Sequence, residues 1–227
     1  MRNGSNWIQS IKGDENLKLR IDLKIILVLI IFLFTGQLQI YFVIMFFCFL
    51  HELGHIGIAQ IFKMKLDKLE ILPCGFSSSF YYKSSSNEET STNTWLPAYE
   101  IVVAMAGPIV SLILAISFKY LDYIKISDTL RQEIVYSNIL ILIFNLLPLY
   151  PLDGGRILKN ILCIRLGEIK SEYIMSKTSY IMIIILTIIS SIAVYYFKNI
   201  AIFLVCIFLW NIILSDNLKR NVKFRSI

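Results

Sequence analysis

Charge is what this chain of 227 residues is shortest of. Asp, Glu, Lys and Arg supply 17% of it against 56% hydrophobic residues, too few to coat a water-soluble domain of this size. A bilayer is the expected solvent. The four cysteines, Cys48, Cys74, Cys163 and Cys206, are widely spaced and form no Cys-x-x-Cys pair, so neither a disulfide framework nor a cysteine metal site is indicated. No small-x-small cleavage site follows the first apolar run. That run is expected to be an uncleaved anchor rather than a signal peptide. There is no internal repeat and no long linker. Histidine is scarce, at two in the whole chain.

Long charge-free windows are what the chain has instead: Ile25 to Leu50, Ile101 to Phe118, Ile134 to Leu152, Thr178 to Phe197 and Asn199 to Ser215. Each is near or above the roughly 18 residues of a membrane helix candidate. The first continues as apolar sequence to Phe62, and one helix from Ile25 would run about 57 Å through about 30 Å of hydrocarbon. It must be two helices, broken at Gly36-Gln37-Leu38-Gln39. The expectation is an all-α membrane protein of about six spans, at residues 24–36, 39–62, 98–118, 133–150, 178–197 and 199–215. Residues 1–24 are read as an N-terminal tail, 25–215 as the membrane-embedded domain and 216–227 as a C-terminal tail. In the largest extramembrane segment, Lys63 to Trp95, strand-like stretches around Pro73 and Gly75 predict a small β-hairpin, followed by a Ser/Thr/Asn-rich tip.

A net charge of +6 invites a nucleic-acid reading, but the distribution of the basic residues argues against it. Eighteen of the 22 Lys and Arg fall in the two tails and in residues 63–95 and 151–177, leaving Lys119, Lys125, Arg131 and Lys198 for the other side. By the positive-inside rule both termini and the two longer loops are cytoplasmic.

The two histidines belong to His51-Glu52-Leu53-Gly54-His55, inside the second expected span. Imidazoles four apart on a helix share a face and can reach one metal ion, with the glutamate close enough to handle its bound water. Zinc held there would lower the pKa of that water to about 7, and Glu52 would take the proton as general base for attack on a peptide carbonyl. The competing explanation is a chance pentapeptide. A random pair of histidines falls four apart only about one time in a hundred by pair counting, and ionisable side chains within a span are costly without a partner and a role.

Zinc needs a third protein ligand, and a carboxylate is the natural one. Glu70 follows His55 but lies in a polar loop past the span. Asp153 is the stronger candidate, because Asn145-Leu146-Leu147-Pro148-Leu149-Tyr150-Pro151-Leu152-Asp153-Gly154-Gly155-Arg156 breaks the fourth span near its cytoplasmic end. The other reading of Asp153 is a helix N-cap before Gly154 to Arg165. Asn145 is either an interhelical hydrogen-bonding residue or a group that binds the substrate backbone. Ala104, Ala106 and Gly107-Pro108 read as ordinary close packing of a kinked membrane helix.

With these residues in order, the chain resembles the site-2 protease family, the intramembrane zinc metalloproteases of the M50 class. The likeness runs from the histidine pentapeptide through Leu72-Pro73-Cys74-Gly75 and Ala106-Gly107-Pro108 to the Asn-x-x-Pro and Leu-Asp-Gly elements of Asn145 to Gly155. It implies His51, His55 and Asp153 as zinc ligands, Glu52 as general base, Asn145 as a residue near the substrate, and the segment around Pro73 as an edge for an unwound substrate. The six-span arrangement is most similar to the sporulation members, which mature a membrane-associated sigma factor precursor. The nucleotide-sensing and PDZ modules of some relatives are expected to be absent. The implied partners are a membrane-tethered protein substrate, membrane lipid and inhibitory membrane proteins, with no nucleic acid. The competing classes are a multi-span proton or metal transporter using the same His, Glu and Asp residues, which the lack of repeats disfavours, and an inactive scaffold.

Overall fold

The computed structural model describes residues 7–8, 18–34, 36–72, 75–81, 96–120, 126–197 and Trp210. They form two compact units, Met1–Thr94 with Met105–Ile143, and Trp95–Ala104 with Phe144–Ile227.

In the first unit, α1 (Lys24–Phe34) stops where the sequence supplies Gly36, whose φ of +69° is the left-handed conformation that ends a helix. Its last turn is closed by Gly36 N–H to the Leu33 carbonyl and Gln37 N–H to the Phe32 carbonyl. α2 (Leu38–Ile61) then starts afresh, so the expected break falls where the glycine and glutamines stand. At 11 residues α1 is about 16 Å long, short of the hydrocarbon thickness, whereas the 24 residues of α2 give about 36 Å.

α2 ends in a tight turn with Lys63 at φ 56°, its N–H on the Gln60 carbonyl and Met64 N–H on the Ala59 carbonyl. The chain reverses into β3 (Lys65–Leu72) and β4 (Gly75–Tyr81), an antiparallel pair that is the expected hairpin. β4 rests on α2: the Phe49 and Phe76 rings are 5.6 Å apart, and Gly75 lies over Cys48. Two further strands, β1 (Trp7–Ile8) and β2 (Lys18–Asp22), extend the sheet in the order β1-β2-β3-β4, with β2 parallel to β3. They lie in the stretch read from sequence as a tail. Two to five residues carry too little alternation to signal a strand, and the pairing is with a segment more than forty residues away.

α3 (Leu96–Tyr120) carries Pro108 within it, and α4 (Asp128–Asn145) is started by Ser127, whose Oγ accepts the Leu130 N–H at 3.3 Å. The core of this unit is Phe47, Ile134 and Ile141, with Phe118 edge-on to Phe47 at 5.8 Å.

In the second unit, α5 (Asp153–Leu166) and α6 (Glu168–Phe197) meet at Gly167, φ +82°. Leu149 and Ile183 are fully buried at its core, packed by Phe144, Leu147, Leu152, Tyr180 and Leu186. α6 is inside-out by the standards of a water-soluble helix. Ile181, Ile184, Ile185, Ile188, Ile189 and Ile192 are exposed while Ser171, Ser179 and Ser190 are buried. Lipid explains the exposed isoleucines, and the buried hydroxyls have partners: Ser171 donates to the Glu168 carbonyl and Ser190 to that of Thr187, while Ser179 accepts the Tyr150 N–H.

Among the described residues three helices are long and apolar enough to cross a membrane: Leu38–Ile61, Leu96–Tyr120 and Glu168–Ile192. Of the other expected spans, α1 is short, α4 opens with Asp128, Arg131 and Glu133, and 199–215 lies outside the described residues apart from Trp210.

Candidate metal centre

The 3.6-residue period of α2 puts His51 and His55 on one face, one turn apart, and both are buried. Their Nε2 atoms are 3.2 Å apart, with the rings at 77° to each other. Two nitrogens bound tetrahedrally to zinc at 2.0–2.1 Å stand about 3.3–3.4 Å apart. The pair is therefore spaced as one edge of a zinc coordination tetrahedron. Glu52, buried at 5% exposure, follows His51 on the same helix.

α3 makes room for this edge by having no side chain there. A Cβ on Gly107 would lie 2.3 Å from His55 Nε2 and 2.5 Å from His51 Nε2. Gly54 does the reciprocal service on α2, since a Cβ there would be 2.8 Å from a Val110 methyl and 3.1 Å from the Ala106 carbonyl oxygen. One turn beyond Gly107, Ser111 is wholly buried, with its Oγ 2.9 Å from His51 Nδ1. Reading Ala106-Gly107-Pro108 as plain packing passes over the approach of Gly107 to both histidines, and it does not reach Ser111 at all. The available signal was the spacing of four between Gly107 and Ser111, which sets a gap and a hydroxyl on one helix face.

In the second unit, Asn145 is the last residue of α4 and partly exposed, and Asp153 is the first of α5 and buried. The two glycines after Asp153 let α5 start against the bare backbone of the preceding turn. A Cβ on Gly154 would meet the Leu146 carbonyl oxygen at 2.2 Å, and one on Gly155 the Leu149 carbonyl carbon at 2.4 Å. Arg156 Nη1 is 3.8 Å from Asp153 Oδ1. Glu70, the weaker carboxylate candidate, is in β3 and ion-paired with Lys68. His51, His55 and Asp153 are each buried and each offer one metal-ligand atom.

Fold and site together define the class: a helical membrane protein with a metallopeptidase pentapeptide on the buried face of a spanning helix. The chain belongs to peptidase family M50, whose model matches residues 39–127 and 124–189. It is 25% identical over 189 residues to a zinc metalloprotease of Methanocaldococcus jannaschii, covering 78% of this chain and 51% of that protein. It is 27% identical over 148 residues to stage IV sporulation protein FB of Bacillus subtilis, covering 65% and 48%. The chain thus spans about half the length of these curated relatives. A solved site-2 protease from Methanocaldococcus jannaschii has the same fold, with a TM-score of 0.70 at 23% identity over 92% of this chain and 94% of that one.

Proposed function

We propose that this chain is an intramembrane zinc endopeptidase that cleaves a membrane-associated protein near the cytoplasmic face of the bilayer. The observation that carries the reading is the His51–His55 pair, two buried imidazole nitrogens held at a zinc-like 3.2 Å with a glycine opposite them. Asp153 supplies the third ligand in this reading, which accounts for a buried carboxylate at a helix start built from two glycines. Zinc, when bound, polarises the scissile carbonyl and acidifies the attacking water.

The chain's own groups do the rest. Glu52 takes the proton from the attacking water and passes it to the leaving amine, the usual work of a buried general base. Asn145 holds the substrate backbone near the break between α4 and α5. The β4 strand offers the substrate an edge on which to unwind, as in strand addition. The likeness to stage IV sporulation protein FB supports a membrane-associated sigma factor precursor as substrate. The asymmetry of the basic residues supports six spans with both termini cytoplasmic.

The test is co-expression with candidate membrane-tethered precursors, comparing the unaltered chain with Glu52→Gln. The unaltered chain should process its substrate, and the variant should be slower by about 10²–10⁴-fold while keeping its zinc. Processing at the normal rate by the Glu52→Gln chain would remove the general base and the proposal with it. Transport of zinc across the membrane without cleavage would replace the protease by a transporter.

A further inference from the structure

We infer that Ser111 is the positioning residue that fixes His51 for the metal. The inference rests on the proposed metal site. An imidazole has two nitrogens, and it can give a lone pair from one only while the other carries the proton. In His51 the Nε2 atom faces His55 at 3.2 Å, and Nδ1 faces Ser111 Oγ at 2.9 Å. Ser111 is 0% exposed and His51 4%, so no bulk water competes for that contact. With Ser111 Oγ accepting from Nδ1–H, the Nε2 lone pair is directed at the same point as that of His55. The opposite tautomer would put a proton on the ligating nitrogen.

The placement of Ser111 ties this function to the glycine. Gly107 and Ser111 stand one turn apart on α3, as His51 and His55 do on α2. α3 approaches the imidazole tips through the gap at Gly107 and the back of the His51 ring through the hydroxyl at Ser111. A hydrogen bond of this kind, from the distal nitrogen of a ligating histidine, orients the ring and strengthens it as a ligand.

The experiment uses the full chain in detergent and measures zinc affinity by competition with a chelator. The variants are Ser111→Ala, Ser111→Thr and Ser111→Val; the last two have nearly the same shape and differ by one hydroxyl. The expected result is affinity within about three-fold of the unaltered chain for Ser111→Thr, and about 10- to 100-fold weaker for Ser111→Ala and Ser111→Val. The second readout is the ring ¹⁵N spectrum of the zinc-loaded protein, which has only two histidines to resolve. The hydrogen-bonded His51 Nδ1–H signal should be present in the unaltered and Ser111→Thr chains and shifted or lost in Ser111→Ala. Unchanged zinc affinity in Ser111→Ala, or equal loss in Ser111→Thr and Ser111→Val, overturns the assignment. His55→Ala is the control for the site itself. If that variant keeps full zinc affinity, the metal site is elsewhere and the role of Ser111 falls with it.

Discussion

Gly107 faces His55 so closely that a Cβ would stand 2.3 Å from its Nε2 atom. In an ordinary helix interior Ala is favoured over Gly by about 1 kcal/mol. Here the added methyl would sit where the imidazole tip is, and the rings would have to turn from their 3.2 Å spacing. Gly107→Ala is expected to fold and to lose zinc affinity by at least about 10-fold, with proteolysis lost in parallel. Metal content after dialysis, alongside a thermal unfolding curve, checks both halves.

The two glycines of α2, Gly54 and Gly57, should differ in the sign of their substitutions. A Cβ at Gly54 would be 2.8 Å from Val110, while at Gly57 it would meet nothing within 4 Å. Gly54→Ala forces α3 outward and should cost about 1–3 kcal/mol, as overpacking does. Gly57→Ala should be neutral or stabilising by up to about 1 kcal/mol. Equal unfolding midpoints for the two variants would contradict the close packing of α2 on α3.

How much of this was legible beforehand follows from the range of the interactions. The histidine pentapeptide, the break at Gly36 and the hairpin after α2 are written in consecutive residues, and reading them needs only helix period and turn chemistry. The parallel pairing of β2 with β3 is set by contacts between distant segments, which no local pattern displays. Gly107 was visible as a small residue, but its role depends on which helix it faces. Ser111 was not singled out, because a serine in an apolar span is most often satisfied by its own helix, as Thr187, Ser190 and Ser191 are.

Metal removal gives a third expected outcome. A site whose ligands are buried imidazoles and a carboxylate should release zinc slowly to a chelator and lose proteolysis as it does. Added zinc should restore activity to the unaltered chain but not to Glu52→Gln, since that side chain is assigned to the proton rather than the ion. Full activity in exhaustively chelated, metal-free protein would end the zinc assignment.

The start of α5 offers a way to test Asp153 without touching it. Asp153→Ala should abolish zinc binding if its carboxylate is a ligand, yet the same result would follow from simple unfolding of the turn. Gly154→Ala and Asp153→Asn together separate these: the first moves the turn and keeps the carboxylate, since its Cβ would meet the Leu146 carbonyl oxygen at 2.2 Å, and the second keeps the turn and removes the charge. In Gly154→Ala the carboxylate would be displaced while remaining chemically intact. The expectation is a loss of zinc affinity of about 10–100-fold in Gly154→Ala, the size seen when a ligand's support is removed. Asp153→Asn, which keeps the shape but not the charge, should lose at least as much. Were Asp153→Asn to bind zinc as tightly as the unaltered chain, Asp153 would be left as an acidic residue in the first turn of α5, where Leu152 holds the N-cap position, and the third ligand would have to be sought among other residues.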